Sequence, residues 1–397
     1  MLMNKAMNWL PLNRLMVVFV FILVAASIQK FILGYYNNYL MFARPFDCLL
    51  THRSMYVLRP ELYSDLYKYS PVFAWLMAPF YYMPDWLGVT LWNLLNPVVL
   101  ILGVWYFLKD EYHADCKRWI ALAIIFPEAL ITAQNMQSNN LIVGMMLLGI
   151  YLLRKEKVWL AALLFTLCFY IKFYGVGAAI FFLFYPRKVQ FLVAMVVWTV
   201  IFALLPATVI SFAELGAEYE AWLKIVVDSK LGLLVSVPGI LVYWFDMAKT
   251  DGNLRIVEAV GITLFLLPFL RFKQWKMPVY QQLMVAYFLL FVIIFNKMAE
   301  SPTYVLAVVG VAIWWVTAAE RNTLDRILLG LVVVFTSLSP TDLFPPFIRD
   351  EYMNPYSIKA VPCVLVWLRM QYQLWTIQSF QERGKTGQAV AAEVALK

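Results

Sequence analysis

Long apolar runs separated by short polar segments repeat along almost the whole chain. Many of these runs hold about 17–25 residues, and a helix of that length crosses the roughly 30 Å of hydrocarbon in a bilayer. The pattern predicts an all-α polytopic membrane protein with about 10–13 transmembrane helices. The spans are expected near residues 14–35, 86–108, 118–133, 138–153, 158–171, 174–186, 189–209, 253–271, 278–296, 302–318, 324–340 and 359–377.

Composition supports a membrane rather than a soluble fold. Of the 397 residues, 63% are hydrophobic and 14% are charged, whereas soluble chains average about a half and a quarter. We expect one transmembrane domain over residues 1–380 and a polar cytoplasmic tail over 381–397. The first apolar run lacks a small-residue cleavage site, which indicates a retained first helix rather than a signal peptide.

The formal charge of +8 comes from basic residues in small groups between the apolar runs. Short basic loops orient helices in a membrane, and they collect on the cytoplasmic side. We therefore expect no nucleic-acid partner. The arrangement predicts that both termini are cytoplasmic.

Two adjacent apolar segments, 158–171 and 174–186, are each too short for a comfortable crossing. Lys172 and Gly175 lie at the break between them, and basic loops flank the pair on the same side. A re-entrant hairpin with the lysine at its tip explains this pattern, because broken backbone is tolerated where it lines a cavity. A kinked helix pair whose lysine reaches the interface is the alternative.

Some of the segments between spans are long enough to carry helices that lie along the membrane surface. The long segments are 36–85, 210–252 and 341–358. In the first, Tyr39, Phe42 and Phe46 recur at helical spacing beside charged residues, which indicates an interfacial helix. A second amphipathic stretch covers about 213–229.

Polar residues that resist a membrane environment gather on the predicted outer side. Because ionisable groups at membrane depth are costly, such residues are candidates for function. The candidates are Asn38, Asp47, Asp65, Lys68, Tyr69, Gln134, Gln137, Asn139, Lys172, Lys297, Glu300 and Arg349.

Each candidate also has a purely structural interpretation. Asp47 can pair with a neighbouring arginine, and Asp65 and Lys68 can neutralise each other. The amides of the segment QNMQSNN can cap helices. Glu300 can be an acid favoured at a helix start.

The candidates supply the groups that move a sugar from a lipid-phosphate carrier to an acceptor. A carboxylate can take the proton of a hydroxyl, and lysines can stabilise a departing phosphate. Aromatic side chains suit stacking on sugar rings: Tyr56, Tyr63, Tyr67, Tyr69 and Trp75. The sequence shows neither a nucleotide-binding fingerprint nor a zinc-ligand spacing, so we expect no soluble nucleotide-sugar donor, no cofactor and no Cys/His zinc site as a metal centre.

Five stretches carry a resemblance to a known family. They are NNYLMFARPFDCLLTHRSMY, DLYKYSPVFAWLMAPFYYMPDWLGVTLWNLLN, QNMQSNNLIVGMMLLGIYLL, YIKFYGVGAAIFFLFYPRK and KMAESPTYVLAVVGVAIWW. Across residues 37–316 the chain resembles the integral-membrane glycosyltransferases of family eighty-seven in the GT-C superfamily. The prototype is a polyprenol-phosphate-mannose-dependent α-mannosyltransferase. The five stretches are similar to those of a branch common in Bacteroidetes-type bacteria.

The resemblance implies a GT-C-like helical bundle in the inner membrane with an active site on the periplasmic face. It implies a polyprenyl-phosphate-linked sugar, mannose or another hexose, as donor and a lipid or glycan as acceptor. Asn38 stands where the family's catalytic Asp is expected, and the later SP…H element has no His here. Since an amide cannot act as a base, either Asp47 or Asp65 serves, or this branch has different chemistry or none.

The roles that follow are expectations. A transferase would use the lysines at the donor phosphate, the amides on sugar hydroxyls and Glu300 at the acceptor. A lipid or glycolipid transporter, and an inactive partner subunit in envelope glycan assembly, are the alternatives. A transporter would use the same cavity without breaking a bond.

Overall fold

The computed structural model describes residues 12–110, 114–228, 235–318 and 321–377. The regular secondary structure in these ranges is helical throughout, and each predicted span coincides with a helix, which confirms the all-α fold. The predicted tail lies outside the described residues. Four described helices are long and apolar enough to span a membrane: Arg14–Ile32, Asp85–Phe107, Lys188–Thr208 and Asp251–Leu270. Further apolar helices of 10–17 residues accompany them.

The chain divides into two compact units, and the first comprises residues 1–232 and 300–309. The described helices of this unit include four short ones, which follow the first span. In chain order they are α1 (Leu12–Ile32), α2 (Asn37–Ala43), α3 (Pro45–Leu50), α4 (Pro71–Leu76), α5 (Ala78–Tyr81), α6 (Asp85–Phe107), α7 (Ala114–Gln134), α8 (Asn139–Arg154), α9 (Val158–Ile171), a 3-10 helix (Phe173–Phe184), α10 (Lys188–Leu204) and α11 (Phe212–Asp228).

Helices α6 and α8 form the most extensive helix pair of the first unit. A Cβ atom on Gly103 of α6 would lie 2.6 Å from the carbonyl oxygen of Gly144 in α8. A Cβ atom on Gly144 would collide in turn with the backbone of Val99. Glycines therefore let the two backbones touch. Near the N-terminal ends of the two helices, the Trp92 indole N–H donates to the carbonyl of Met136 at 2.9 Å, which fixes the turn before α8.

The predicted interruption at Lys172 is confirmed. Helix α9 ends at Ile171, Lys172 is extended, and the 3-10 helix begins at Phe173. The two arms pack together so closely that a Cβ atom on Gly175 would lie 2.6 Å from Cβ of Cys168. The position of this hairpin in the bilayer stays a prediction.

The predicted surface helix in the first long segment is present as two short helices, α2 and α3. They join at Arg44, where Pro45 starts α3 with a backbone angle suited to a first helical turn. The apolar side chains of Tyr39, Phe42 and Phe46 are buried inside the protein. The amphipathic pattern here thus reflects packing against the bundle.

An aromatic core lies under this segment. The Phe42 ring packs edge-on against Tyr69 and Trp92, with ring centroids 5.0 and 5.6 Å apart. The predicted sugar-stacking role does not fit three tyrosines whose rings are buried in or beside this core: Tyr56, Tyr63 and Tyr67. Tyr69 remains half-buried and keeps one side accessible.

The second predicted amphipathic helix is α11. Its buried face is hydrogen-bonded to the long segment 36–85. The Glu218 carboxylate accepts a hydrogen bond from the backbone N–H of Met55 at 3.3 Å. The Trp222 indole N–H donates to the carbonyl of Lys68, also at 3.3 Å. These contacts hold the backbone on both sides of Asp65.

The second unit comprises residues 233–299 and 310–397. Its centre includes the Tyr287 and Trp367 rings, which stack with centroids 4.7 Å apart. A buried carboxylate, Asp325, accepts a hydrogen bond from Arg369 Nε at 2.8 Å. The remaining α-helices are α12 (Val237–Phe245), α13 (Asp251–Leu266), α14 (Pro278–Ile294), α15 (Tyr304–Thr317, whose first residues belong to the first unit), α16 (Thr323–Leu331, continued by a π-helix over Val332–Leu338), α17 (Pro346–Ile348) and α18 (361–377).

Candidate active site

Lys172 and Asn139, two of the predicted site residues, are in direct contact. The Lys172 ammonium donates to Oδ1 of Asn139 at 2.8 Å, and the hydroxyl of Tyr174 approaches the same oxygen at 3.3 Å. Asn139 is the first residue of α8 and is fully buried, while Lys172 occupies the break after α9. The break therefore brings a cation to the start of α8.

The same asparagine also holds the turn that follows Glu300. Its Nδ2 donates to the carbonyl of Pro302 at 2.9 Å, and Thr132 Oγ1 donates to that carbonyl at 2.8 Å. Glu300 precedes the short helix Ser301–Thr303 and is exposed. Its place at a helix start, one of the interpretations from sequence, is thus confirmed. The turn nevertheless places this carboxylate within electrostatic range of Lys172.

The pKa of the Tyr69 hydroxyl depends on the charged groups around it. Burial is the main cause that raises the pKa of its hydroxyl, and the negative charges of Glu300 and Asp65 raise that pKa further. Glu300 also interacts electrostatically with Lys172 and with Tyr174. Two carboxylates, a tyrosine hydroxyl and a lysine therefore occupy one region of the first unit.

Asp65 is exposed, and its partner is not the predicted lysine. Asn37 Nδ2 donates to Asp65 Oδ2 at 3.2 Å, and Asn37 Oδ1 accepts the backbone N–H of Ser64 at 2.8 Å. Lys68 is also exposed, and its backbone carbonyl accepts the hydrogen bond from Trp222. The structural alternative, in which Asp65 and Lys68 neutralise each other, is therefore wrong, because the carboxylate of Asp65 contacts the Asn37 amide instead.

Asp47 has the structural role foreseen as an alternative. Tyr81 donates its hydroxyl to Asp47 Oδ1 at 2.9 Å, and Arg53 Nη2 lies 3.3 Å from Oδ2. Both carboxylate oxygens are thus engaged by groups that fix the segment after α3. Asp65, in contrast, is exposed and acts electrostatically on Tyr69.

Asn38 serves as a structural donor. Its Nδ2 donates to the carbonyl of Asn135 at 2.8 Å, which ties the start of α2 to the end of α7. Gln134, the last residue of α7, is half-buried next to this contact. At the position where the resemblance places a catalytic Asp, the chain therefore has an amide that joins two helices.

Three residues around the start of α8 carry buried polar atoms that lack a hydrogen-bond partner in the described structure. The atoms are Gln137 Oε1, Ser138 Oγ and Asn140 Oδ1. An unmet polar atom in a buried position costs about 1–3 kcal/mol. Hydroxyl groups of a ligand or ordered water can satisfy such atoms, so this turn suits contacts with a sugar.

Lys297 and Arg349 belong to the second unit. Lys297 is half-buried. Arg349 Nε lies 3.2 Å from Asp350 Oδ1, and its Nη1 is 4.0 Å from Asp342 Oδ1. Their participation in the site of the first unit stays a prediction.

Tyr174, Thr132 and the carbonyl of Pro302 belong to the site but did not stand out in the sequence. Tyr174 lies in a run of apolar and aromatic residues, where an aromatic residue more often faces lipid or neighbouring helices. Its position two residues after Lys172 was the available signal. Among the residues that the structure describes, no group of three or more His, Cys, Asp or Glu side chains converges on a metal site.

The arrangement combines a lysine with two carboxylates. The side chain of Lys172 is hydrogen-bonded to a neutral amide rather than to a carboxylate, and a carboxylate can accept a proton or a hydroxyl hydrogen bond. The model of glycosyltransferase family 87 matches residues 67–340 of this all-helical membrane protein. The protein is therefore a membrane glycosyltransferase. The chain belongs to glycosyltransferase family 87. No curated protein sequence gives a match to it.

The matched region includes most of the site. Tyr69, Asn139, Lys172 and Glu300 lie within it, while Asp65 stands two residues before its start. The groups that surround the lysine are therefore part of the family region.

Proposed function

We propose that the protein transfers mannose or another hexose from a polyprenyl-phosphate carrier to a lipid or glycan acceptor. The observation that carries this proposal is the contact of Lys172 with Asn139, beside Glu300 and the Tyr69–Asp65 region. A transferase of this family needs a cation for the phosphate and a base for the acceptor. The first unit brings both kinds of group to one place.

The donor phosphate binds at Lys172 in this proposal. A phosphate that leaves with the polyprenol gains negative charge as the glycosidic bond breaks, and a fixed ammonium stabilises that charge. The neutral oxygen of Asn139 positions the ammonium without cancelling its charge. Lys68, which is exposed three residues after Asp65, serves as a second cation for the phosphate.

Asp65 is the proposed general base. Its carboxylate takes the proton from an acceptor hydroxyl, whose oxygen forms a bond to the anomeric carbon of the sugar. The bond between that carbon and the phosphate oxygen breaks, and polyprenyl phosphate leaves with the electron pair. Glu300 orients the acceptor, and Gln134 and Gln137 contact sugar hydroxyls. Asn38 takes no part in proton transfer.

The proposed setting is the inner membrane, with both termini in the cytoplasm and the site facing the periplasm. The basic loops predict this orientation. A periplasmic site suits a lipid-linked donor, because the carrier delivers its sugar within the same membrane. Membrane lipids then surround the apolar spans.

The test uses the purified protein in nanodiscs with radiolabelled polyprenyl-phosphate mannose and a membrane-lipid extract as acceptor. Release of free polyprenyl phosphate, together with transfer of label to the extract, is the expected result. Lys172→Ala should abolish release, whereas Lys155→Ala, a lysine paired with Asp110 at 2.9 Å, should leave it unchanged. Movement of labelled donor between leaflets without release would identify a transporter and overturn the proposal. Donor binding with neither release nor movement, across several hexose donors, would identify an inactive subunit.

A further inference from the structure

We infer that Asn139 is a positioning residue that sets the distance between the phosphate-binding cation Lys172 and the carboxylate of Glu300. This inference rests on the proposed function, and it changes the expected role of Asn139. From the sequence, Asn139 is expected to contact sugar hydroxyls. In the structure its amide is already engaged by three groups of the protein.

The orientation of the Asn139 amide is determined by its partners. The Lys172 ammonium can only donate, and the Pro302 carbonyl can only accept. The amide oxygen must therefore face Lys172 while the NH₂ group faces Pro302, as observed at 2.8 and 2.9 Å. A flipped amide would set donor against donor at one end and acceptor against acceptor at the other.

Asn139 supplies the hydrogen-bond acceptor that holds the Lys172 ammonium in one place. A lysine side chain has about 2 kcal/mol of rotamer entropy to lose, and its ammonium is a flexible point charge. The hydrogen bond to Asn139 Oδ1 fixes that ammonium at the break after α9. The hydroxyl of Tyr174 closes the other side of the same oxygen at 3.3 Å. The cation is thus oriented before the donor arrives.

A neutral residue is the suitable choice at this position. A carboxylate in place of the Asn139 amide would neutralise Lys172 and repel a phosphate. The amide can also donate to Pro302, which a carboxylate cannot do. One side chain therefore places the cation on one side and, through the turn that follows Glu300, the carboxylate on the other.

The test is a double-mutant cycle on the binding of polyprenyl phosphate to the protein in nanodiscs. We expect Asn139→Ala to weaken binding on the order of 10-fold, the usual effect of losing a hydrogen bond to a charged group. If Asn139 acts through Lys172, the double variant Asn139→Ala/Lys172→Ala should bind no more weakly than Lys172→Ala alone. Independent, multiplicative losses would overturn the inference.

Thr132→Val is the matched control. It removes the other hydrogen bond to the Pro302 carbonyl and leaves the contact between Asn139 and Lys172 in place. We expect this variant to bind polyprenyl phosphate within about 2-fold of the parent. A loss equal to that of Asn139→Ala would mean that the turn, and not the lysine, carries the effect.

A second measurement separates this inference from the proposed function. An amine-reactive reagent should label Lys172 several-fold faster in Asn139→Ala than in the parent, as read by mass spectrometry of the peptide. If the parent fails to bind polyprenyl phosphate, the proposed function fails and the assigned phosphate role falls with it. If the parent binds but labelling and binding are both unchanged in Asn139→Ala, the inference about Asn139 alone is overturned.

Discussion

Replacement of glycine by alanine can be tested at two positions with opposite expected results. Gly144 lies at the crossing of α6 and α8, and Gly216 lies in α11. In Gly144→Ala, the new Cβ atom would lie 2.6 Å from the backbone nitrogen of Leu100 and would also collide with Val99. Ordinary contacts begin near 3.4 Å, and the Val99 carbonyl oxygen lies nearer than Leu100, so the helices must separate by about 1 Å. The obstacle is backbone, and no side-chain rotation can relieve it.

The magnitude follows from two opposing terms. Overpacking costs about 1–3 kcal/mol, and a backbone collision belongs at the upper end. Replacing a helical Gly by Ala returns about 1 kcal/mol of helix propensity. We therefore expect Gly144→Ala to lose about 2 kcal/mol of stability. Because α8 begins at Asn139, the shift should also disturb the contact with Lys172.

Gly216→Ala in α11 is the matched control, since no atom lies within 4 Å of its added Cβ. This variant should gain up to about 1 kcal/mol. Apparent melting temperatures in the same detergent, measured at one scan rate, should fall for Gly144→Ala and rise or stay level for Gly216→Ala. Equal rises in both variants would refute the close crossing of α6 and α8.

Two further predictions concern buried charges in each unit. Burial raises the pKa of Glu218 above its ordinary value of 4.5, so its stabilising contribution is present at low pH and is lost as pH rises through the raised pKa. Glu218→Gln should therefore melt higher than the parent at pH 8 and lose that advantage near pH 4, and an equal difference at both pH values would contradict the assignment. Asp325→Ala removes the carboxylate that Arg369 contacts in a buried position and should cost about 3–5 kcal/mol. Asp110→Ala, an exposed partner of Lys155, should melt close to the parent, and similar losses in both variants would contradict this contrast.

Helix positions followed from the sequence because each apolar run carries its own signal. The break at Lys172 was also predicted, since a lysine and a glycine interrupt two short apolar segments. The packing partners of each helix could not be predicted from local sequence in the same way. The amphipathic pattern of Tyr39, Phe42 and Phe46 gave the position of α2 and α3, but whether those rings faced lipid or protein depended on α4 and α6.

The site was predicted less completely than the fold. The sequence pointed to Lys172, Asn139 and Glu300 as polar residues of the outer side, yet it gave no pairing among them. Asn139 and Lys172 are 33 positions apart, and Pro302 is 163 positions beyond Asn139. Such contacts depend on how helices pack, which periodicity does not reveal. The same limit explains why the contact of Asp65 with Asn37 was not predicted.

The most direct test of the proposed site compares two aspartates in the polyprenyl-phosphate release assay. Asp65→Asn should reduce release to background while donor binding stays within a few-fold of the parent. Asp47→Asn should retain release and lower the melting temperature instead, because Arg53 and Tyr81 lose a charged partner. Full release by Asp65→Asn, or its loss in Asp47→Asn with stability preserved, would contradict the assignment of Asp65 as the base.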